Sequence, residues 1–147
     1  MRDKFFVDTN ILVYAHDRSA GIKRIRAMEL LERLWISGNG VLSTQVLQEL
    51  RVNLRRKTAN PPGIDELRAL LREYSTWEVV IHSPDSIMRA LDIEDRYKIS
   101  FWDALILQAA HDAGASIVYS EDLARGQIYG AVRVVNPLLD TAFEEFP

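Results

Sequence analysis

The 147-residue sequence has no cysteine, which excludes disulfides, thiolate nucleophiles and cysteine-ligated zinc or iron–sulfur centres. Histidine is scarce, at three residues. His16, His82 and His111 follow no spaced ligand pattern and read as surface or loop residues. No apolar run approaches the ~20 residues of a membrane-spanning helix. The opening Met1-Arg2-Asp3-Lys4 is charged too soon for a signal peptide. Both absences point to a cytoplasmic protein with no membrane partner. Also missing are Gly-x-x-x-x-Gly-Lys, Gly-x-Gly-x-x-Gly and Gly-x-Ser-x-Gly, so nucleoside-triphosphate, dinucleotide and hydrolase-elbow chemistry lack support. A net charge of −3, from 18 basic and 21 acidic residues, lacks the basic excess of many nucleic-acid binders. Net charge hides distribution, however, and decides little alone.

What is present is ordinary for a globular chain: 48% hydrophobic and 27% charged residues, in a length that suits one domain over residues 1–147. Phe5-Phe6-Val7 is a short apolar run ending at Asp8, and reads as a buried strand. Ile25, Met28, Leu31 and Trp35 recur at helical spacing within a helix from Ile22 to Trp35, which Gly38 closes. Val41-Leu42 is a second strand. Ser43 or Thr44 caps a helix to about Lys57. Asn60-Pro61-Pro62-Gly63 is a loop. A helix over Ile64–Tyr74 turns Leu67, Leu70 and Leu71 inward. Trp77–Ile81 is strand-like, and Ser83-Pro84 opens a helix to about Tyr97. Ser100 caps a helix from Phe101 to Ala113, ended by Gly114. Ile117–Tyr119 and Val132–Val135 are further strands. Apolar strands alternating with helices predict a three-layer α/β/α domain around a short parallel sheet.

In such sheets ligands bind beyond the carboxyl ends of the strands. Asp8 and Asp122 each follow a strand. The helices that return between parallel strands start at that same edge, which places Glu49 and Asp103 there too. Asp103 shares its helix face with Ile106, Leu107 and Ala110, while Gln108, His111 and Asp112 lie opposite. Glu49 borders the Val46-Leu50-Leu54 stripe, with Asn53 one turn on. Each acid also has a structural reading. Asp103 could close a capping box with Ser100, Asp8-Thr9-Asn10 could form an Asx turn ahead of a helix from Ile11, Asp122 could cap a helical turn, and Glu49 could pair with a nearby arginine. Taken singly, the cap is the better reading for Asp103 and Asp8. Taken together, the four converge. Like charges ~4 Å apart cost about 4 kcal/mol at an effective dielectric near 20, so a cluster calls for protons or a cation. An all-oxygen donor set suits Mg²⁺ or Mn²⁺ and disfavours zinc.

Phe6-Val7-Asp8-Thr9-Asn10-Ile11-Leu12, Gln48-Glu49-Leu50, Ser100-Phe101-Trp102-Asp103-Ala104-Leu105-Ile106 and Tyr119-Ser120-Glu121-Asp122-Leu123 together resemble the PIN-domain nucleases, and among them the VapC-type toxins of toxin–antitoxin pairs. Gly126-Gln127 and Val132–Pro137 are similar to one subgroup of those toxins. Each motif is short, and the specificity lies in the ordered set, which spans nearly the whole chain. The resemblance implies a Mg²⁺- or Mn²⁺-dependent endoribonuclease that attacks RNA phosphodiesters with metal-activated water, leaving 5′-phosphate and 3′-hydroxyl ends. By motif match Asp8, Glu49, Asp103 and Asp122 take the acidic metal-site positions, Ser120 takes a hydroxyl position supporting that site, and Asn10 orients the first acid. The family further implies a homodimer and a small antitoxin whose C-terminal tail occupies the toxin's groove.

Arg51, Arg55, Arg56 and Lys57 crowd the end of the Glu49 helix, where cations complement the helix terminus. Their number also suits tracking of RNA phosphates. Lys23, Arg24 and Arg26 form a second basic group near the start of an early helix, where the dipole does not favour them. Trp35, Ile36 and Trp77 read first as core and second as a dimer or antitoxin surface. Two rival chemistries fail on residue type. A haloacid-dehalogenase-like phosphohydrolase needs Asp where Asn10 stands, and a receiver domain needs a late lysine that Arg125 and Arg133 do not supply. A housekeeping RNA-processing nuclease and a non-catalytic scaffold of the same fold stand as the alternatives.

Overall fold

Phe5-Phe6-Val7 is buried on both faces, which is what a strand at the centre of a covered sheet requires. The computed structural model describes residues 3–139, so residues 1–2 and 140–147 of the expected domain lie outside the description. The chain runs β1 (Phe5–Val7), α1 (Thr9–His16), α2 (Ile22–Ser37), β2 (Gly40–Ser43), α3 (Thr44–Lys57), α4 (Ile64–Tyr74), β3 (Glu78–Val80), α5 (Pro84–Tyr97), α6 (Phe101–Ala113), β4 (Ile117–Tyr119), β5 (Ile128–Tyr129) and β6 (Val132–Val135). The six strands form one sheet in the order β3-β2-β1-β4-β6-β5. β1 pairs in parallel with β2 and β4, in register Phe6 to Val41 and Phe6 to Val118. Only β5 is antiparallel, folded back on β6.

Helices cover both faces. α6, buried from Ala104 to Ala110, lies over β2, β3, β4 and β6 and is covered in turn by α5. α1 packs against α2 and α3, both of which reach β2. This is the expected three-layer arrangement. The caps hold as read. Ser43 and Ser100 accept from the backbone N–H three residues on, Ser83 forms a capping box with Ser86, and Gly38 and Gly114 end their helices in the left-handed region.

Two local expectations are corrected, and one strand was not foreseen. The buried face of α2 is Ala27, Leu30, Leu31 and Leu34, while Ile25, Met28 and Trp35 are exposed. That helix carries two apolar stripes, and periodicity alone does not say which one meets α1. Gln108 is buried rather than turned outward, because α5 covers the side of α6 that would otherwise face water. The two-residue strand β5 was too short to produce a periodic signal.

Gly40 marks a close approach. A Cβ there would lie 2.3 Å from the indole of Trp77, which packs edge-on to Trp35 and Tyr74 at centroid separations of 5.2 and 5.5 Å. Gly40→Ala is therefore expected to destabilise the fold by ~1–3 kcal/mol, the usual range for overpacking. Urea denaturation measures this. An unchanged midpoint would mean that the indole moves aside without cost.

Candidate active site

The sheet edge predicted to hold the acids does hold them. Asp8 ends β1 and caps α1, with Oδ1 accepting from Thr9 N–H at 2.7 Å. Its Oδ2 accepts from Ser120 Oγ at 2.7 Å. Ser120 is fully buried just beyond β4, and its Oγ also accepts from the N–H groups of Asp122 and Leu123 at 3.2 and 3.3 Å. One hydroxyl thus ties the end of β1 to the turn that carries Asp122. Asn10 spans the same gap: its Nδ2 donates to Asp122 Oδ2 at 3.0 Å and, at 3.4 Å, to Asp8 Oδ2, while its Oδ1 accepts from Glu121 N–H at 3.2 Å.

Across the cleft, Glu49 is held from two sides. Thr9 Oγ1 donates to Glu49 Oε1 at 2.8 Å, and Gln45 Nε2 donates to Oε2 at 3.4 Å. Gln45 lies one helical turn before Glu49 on the same face of α3, and also donates to the carbonyl of Trp102 at 3.1 Å. It thereby links α3 to the first turn of α6, where Asp103 stands. Asp8, Glu49, Asp103 and Asp122 all line one cavity of about 330 Å³, together with Asn10 and Lys57. The structural readings of two acids hold as well: Asp8 is a helix cap, and Ser100 Oγ accepts from the N–H of Asp103 at 3.1 Å. Capping and convergence occur together. Glu49 meets Thr9 and Gln45 instead of an arginine. Asp122 lies in a bend, outside any helix.

The electrostatics follow from this crowding. Burial pushes the Asp8 carboxyl up to about 7 from an ordinary 3.8; the bonds from Ser120 and Thr9 oppose the rise, and the charges of Glu49 and Asp103 add to it. Asp103 is also raised, by burial first, against hydrogen bonding from Ser100 and with the help of Asp122 and Glu49. Glu121, adjacent to Asp122 in sequence, behaves differently. Burial works against its charge, but the bonds from Lys23 and Tyr14 outweigh that and hold it below its usual range. Its 2.8 Å ion pair with Lys23 removes it from the cavity's negative charge.

A hard divalent cation fits this donor chemistry. The cavity offers oxygen ligands only, its carboxylates repel one another, and Gln45 adds a buried Oε1 with no hydrogen-bond partner beside Glu49. Among the described residues no group of three or more His, Asp or Glu side chains is drawn together tightly enough to hold an ion.

Of the basic residues singled out from sequence, Lys57 reaches the cavity. Arg55 donates instead to the carbonyl of Pro62 at 3.4 Å, and Arg51 and Arg56 are exposed outside the cavity. One of the histidines is less superficial than expected. His16 is exposed and bonds through Nε2 to Tyr74 Oη at 2.7 Å, whereas both ring nitrogens of His82 are buried without partners. Sequence reasoning passed over Thr9, Gln45 and Trp102. The four-residue spacing of Gln45 from Glu49 was the available signal. The role of Thr9 depends on a 40-residue separation that no local pattern encodes.

Comparison with known proteins adds the following. The family model described as PIN domain matches residues 5–128. Among solved structures, the chain is similar to the Mycobacterium tuberculosis toxin VapC20, described as cleaving the sarcin-ricin loop, with a TM-score of 0.63 and 20% identity over 81% of this chain and 90% of that one. It is similar to a toxin–antitoxin complex from Klebsiella pneumoniae, with a TM-score of 0.68 and 21% identity over 92% and 98%. It is also similar to DNA-bound VapBC from Salmonella typhimurium, with a TM-score of 0.61 and 19% identity over 90% and 97%. A search of curated protein sequences gives no match.

Proposed function

We propose that this chain, which belongs to the PIN domain family, is a Mg²⁺- or Mn²⁺-dependent endoribonuclease that serves as the toxin of a toxin–antitoxin pair. The observation that carries the reading is the convergence of Asp8, Glu49, Asp103 and Asp122 on one cavity, supported by a fold shared with proteins described as toxins. When bound, a divalent cation supplies the positive charge that offsets both these carboxylates and a substrate phosphate, and makes water more acidic.

The chain's own residues supply the positioning. Asp8, Glu49, Asp103 and Asp122 would hold the cation. Ser120 and Thr9 keep Asp8 and Glu49 as hydrogen-bond acceptors with their oxygens directed at the cavity. Asn10 sets the separation of Asp8 and Asp122. Lys57 offers a positive charge to the RNA backbone at the cavity wall. Attack by water on the phosphorus with rupture of the P–O3′ bond leaves 5′-phosphate and 3′-hydroxyl ends. The partners we assign are RNA as substrate, a small antitoxin protein and a second copy of this chain, in the cytoplasm. The antitoxin assignment draws support from the Klebsiella and Salmonella complexes. Among the described residues no helix is long and apolar enough to cross a membrane.

The test is incubation of antitoxin-free protein with total RNA in Mg²⁺, in Mn²⁺ and in EDTA, followed by mapping of the product ends. Cleavage is expected in either metal and to be absent in EDTA. Cleavage that persists in EDTA, or products with 2′,3′-cyclic phosphates, would overturn the reading.

A further inference from the structure

A second hollow, of about 540 Å³, adjoins the acidic cavity, and Asp17 lines both. It lies between the loop after α1 and the loop after α3. Leu54, Leu70 and the Pro61-Pro62 pair give it apolar walls, and Arg18 and Arg24 give it positive charge. Its two acids compete weakly for those cations. Asp17 Oδ1 is turned into its own loop, accepting from Ser19 N–H and Oγ at 3.0 and 2.6 Å, and Glu66 lies in the favourable first turn of α4. Among the described residues no carboxylate forms an ion pair with Arg24.

Arg24 is the residue in need of explanation. Its Nε is buried without a hydrogen-bond partner, and a buried N–H without an acceptor is a standing cost. It occupies the third position of α2, where the helix dipole disfavours a cation. Neither the helix dipole nor intramolecular pairing accounts for it, whereas an anion on the side of its guanidinium that lines the hollow would. A guanidinium fork matches a phosphate with two parallel bonds. Apolar walls beside such a fork suit a base or ribose.

We propose that this hollow binds the nucleotide next to the scissile one in a single-stranded stretch of RNA, with its phosphate on Arg24 and Arg18 and its base against Leu70, Pro61 and Pro62. The proposal rests on the ribonuclease reading above and adds a direction to it: the strand leaves the acidic cavity past Asp17 toward the loop between α3 and α4.

The experiment measures fluorescence anisotropy of a labelled, random-sequence, eight-nucleotide single-stranded RNA. It is run over a salt series in Mg²⁺, in an Asp103→Asn background so that the probe survives. Arg24→Ala is expected to weaken binding by about tenfold or more, the scale of a lost charge-assisted bond, and to make the log–log salt slope shallower by about 0.7. Arg24→Lys should restore the slope but not the full affinity. Arg18→Ala, at an exposed loop position, should weaken binding with no effect on folding. Unchanged affinity and slope in both alanine variants, with Lys57→Ala still weakening binding, would overturn this subsite and leave the nuclease reading intact. RNA affinity retained in Arg24→Ala alongside lost binding of a polyglutamate peptide would overturn it in favour of an acidic protein segment. Failure of the parent protein to bind RNA, together with no cleavage of total RNA, would overturn both.

Discussion

Asp8→Asn and Asp103→Asn are each expected to lower RNA cleavage by a factor on the order of 10³ or more, as for removal of a group central to transition-state charge. Both side chains face the acidic cavity, and the proximity of Asp103 raises the proton affinity of Asp8. Asparagine keeps the shape of aspartate and removes its charge. At position 8 an amide oxygen in the place of Oδ2 still accepts from Ser120 Oγ, whose own lone pairs are taken by the N–H groups of Asp122 and Leu123, and the loss is confined to the cap bond from Thr9 N–H. The fold should therefore persist, with an unchanged far-ultraviolet circular dichroism spectrum. Residues that only orient the acids should matter less. Thr9→Val and Asn10→Ala are expected to cost about 10–100-fold, the usual penalty for disturbing the groups that hold ligands in place. An aspartate variant that cleaves at the parent rate would remove that acid from the catalytic set.

The second large effect is on stability. In the metal-free protein the Asp8 carboxyl is raised to about 7 against an ordinary 3.8. The folded state therefore retains this proton at pH values where the unfolded chain has released it. Below about 3.8 the group is neutral in both states and costs nothing. As pH rises from there to about 7, stability is progressively lost, and above 7 the full cost of the buried charge applies. At 1.36 kcal/mol per pH unit that cost is at most ~4 kcal/mol. Asp8→Asn should accordingly stabilise the metal-free protein at pH 8 and change little near pH 4. Mg²⁺ or Mn²⁺ should raise the melting temperature of the parent at pH 8 and do much less for the variant. Thermal melts across pH with and without metal make the comparison. Parallel pH profiles for the two proteins would show that the Asp8 charge is not what destabilises the site.

The layout of the site was legible because it follows from topology. Short apolar strands ending at Asp8 and before Asp122, and helices beginning shortly before Glu49 and Asp103, fix one edge of a parallel sheet without knowledge of any contact. The capping serines were legible for a similar reason, since a cap acts over three residues. What stayed hidden depends on contacts between distant segments. The hydroxyl of Thr9 meets Glu49 only after α1 packs on α3. The burial of Gln108 depends on α5. The choice between the two apolar stripes of α2 depends on where α1 lies. Arg24 stood out in sequence only as a cation at an unfavourable helix position, and its use became apparent only with the hollow beside it.

The central position of β1 has a consequence for biosynthesis. The strand made first pairs with β4, and the buried Ser120–Asp8 bond spans 112 residues. While the ribosome is still extending the chain, Asp8 has neither its sheet neighbour nor the hydroxyl that orients it. Long-range parallel pairing is also slow to form. A nascent chain is thus expected to remain inert toward the RNA around it until nearly the whole sequence has emerged.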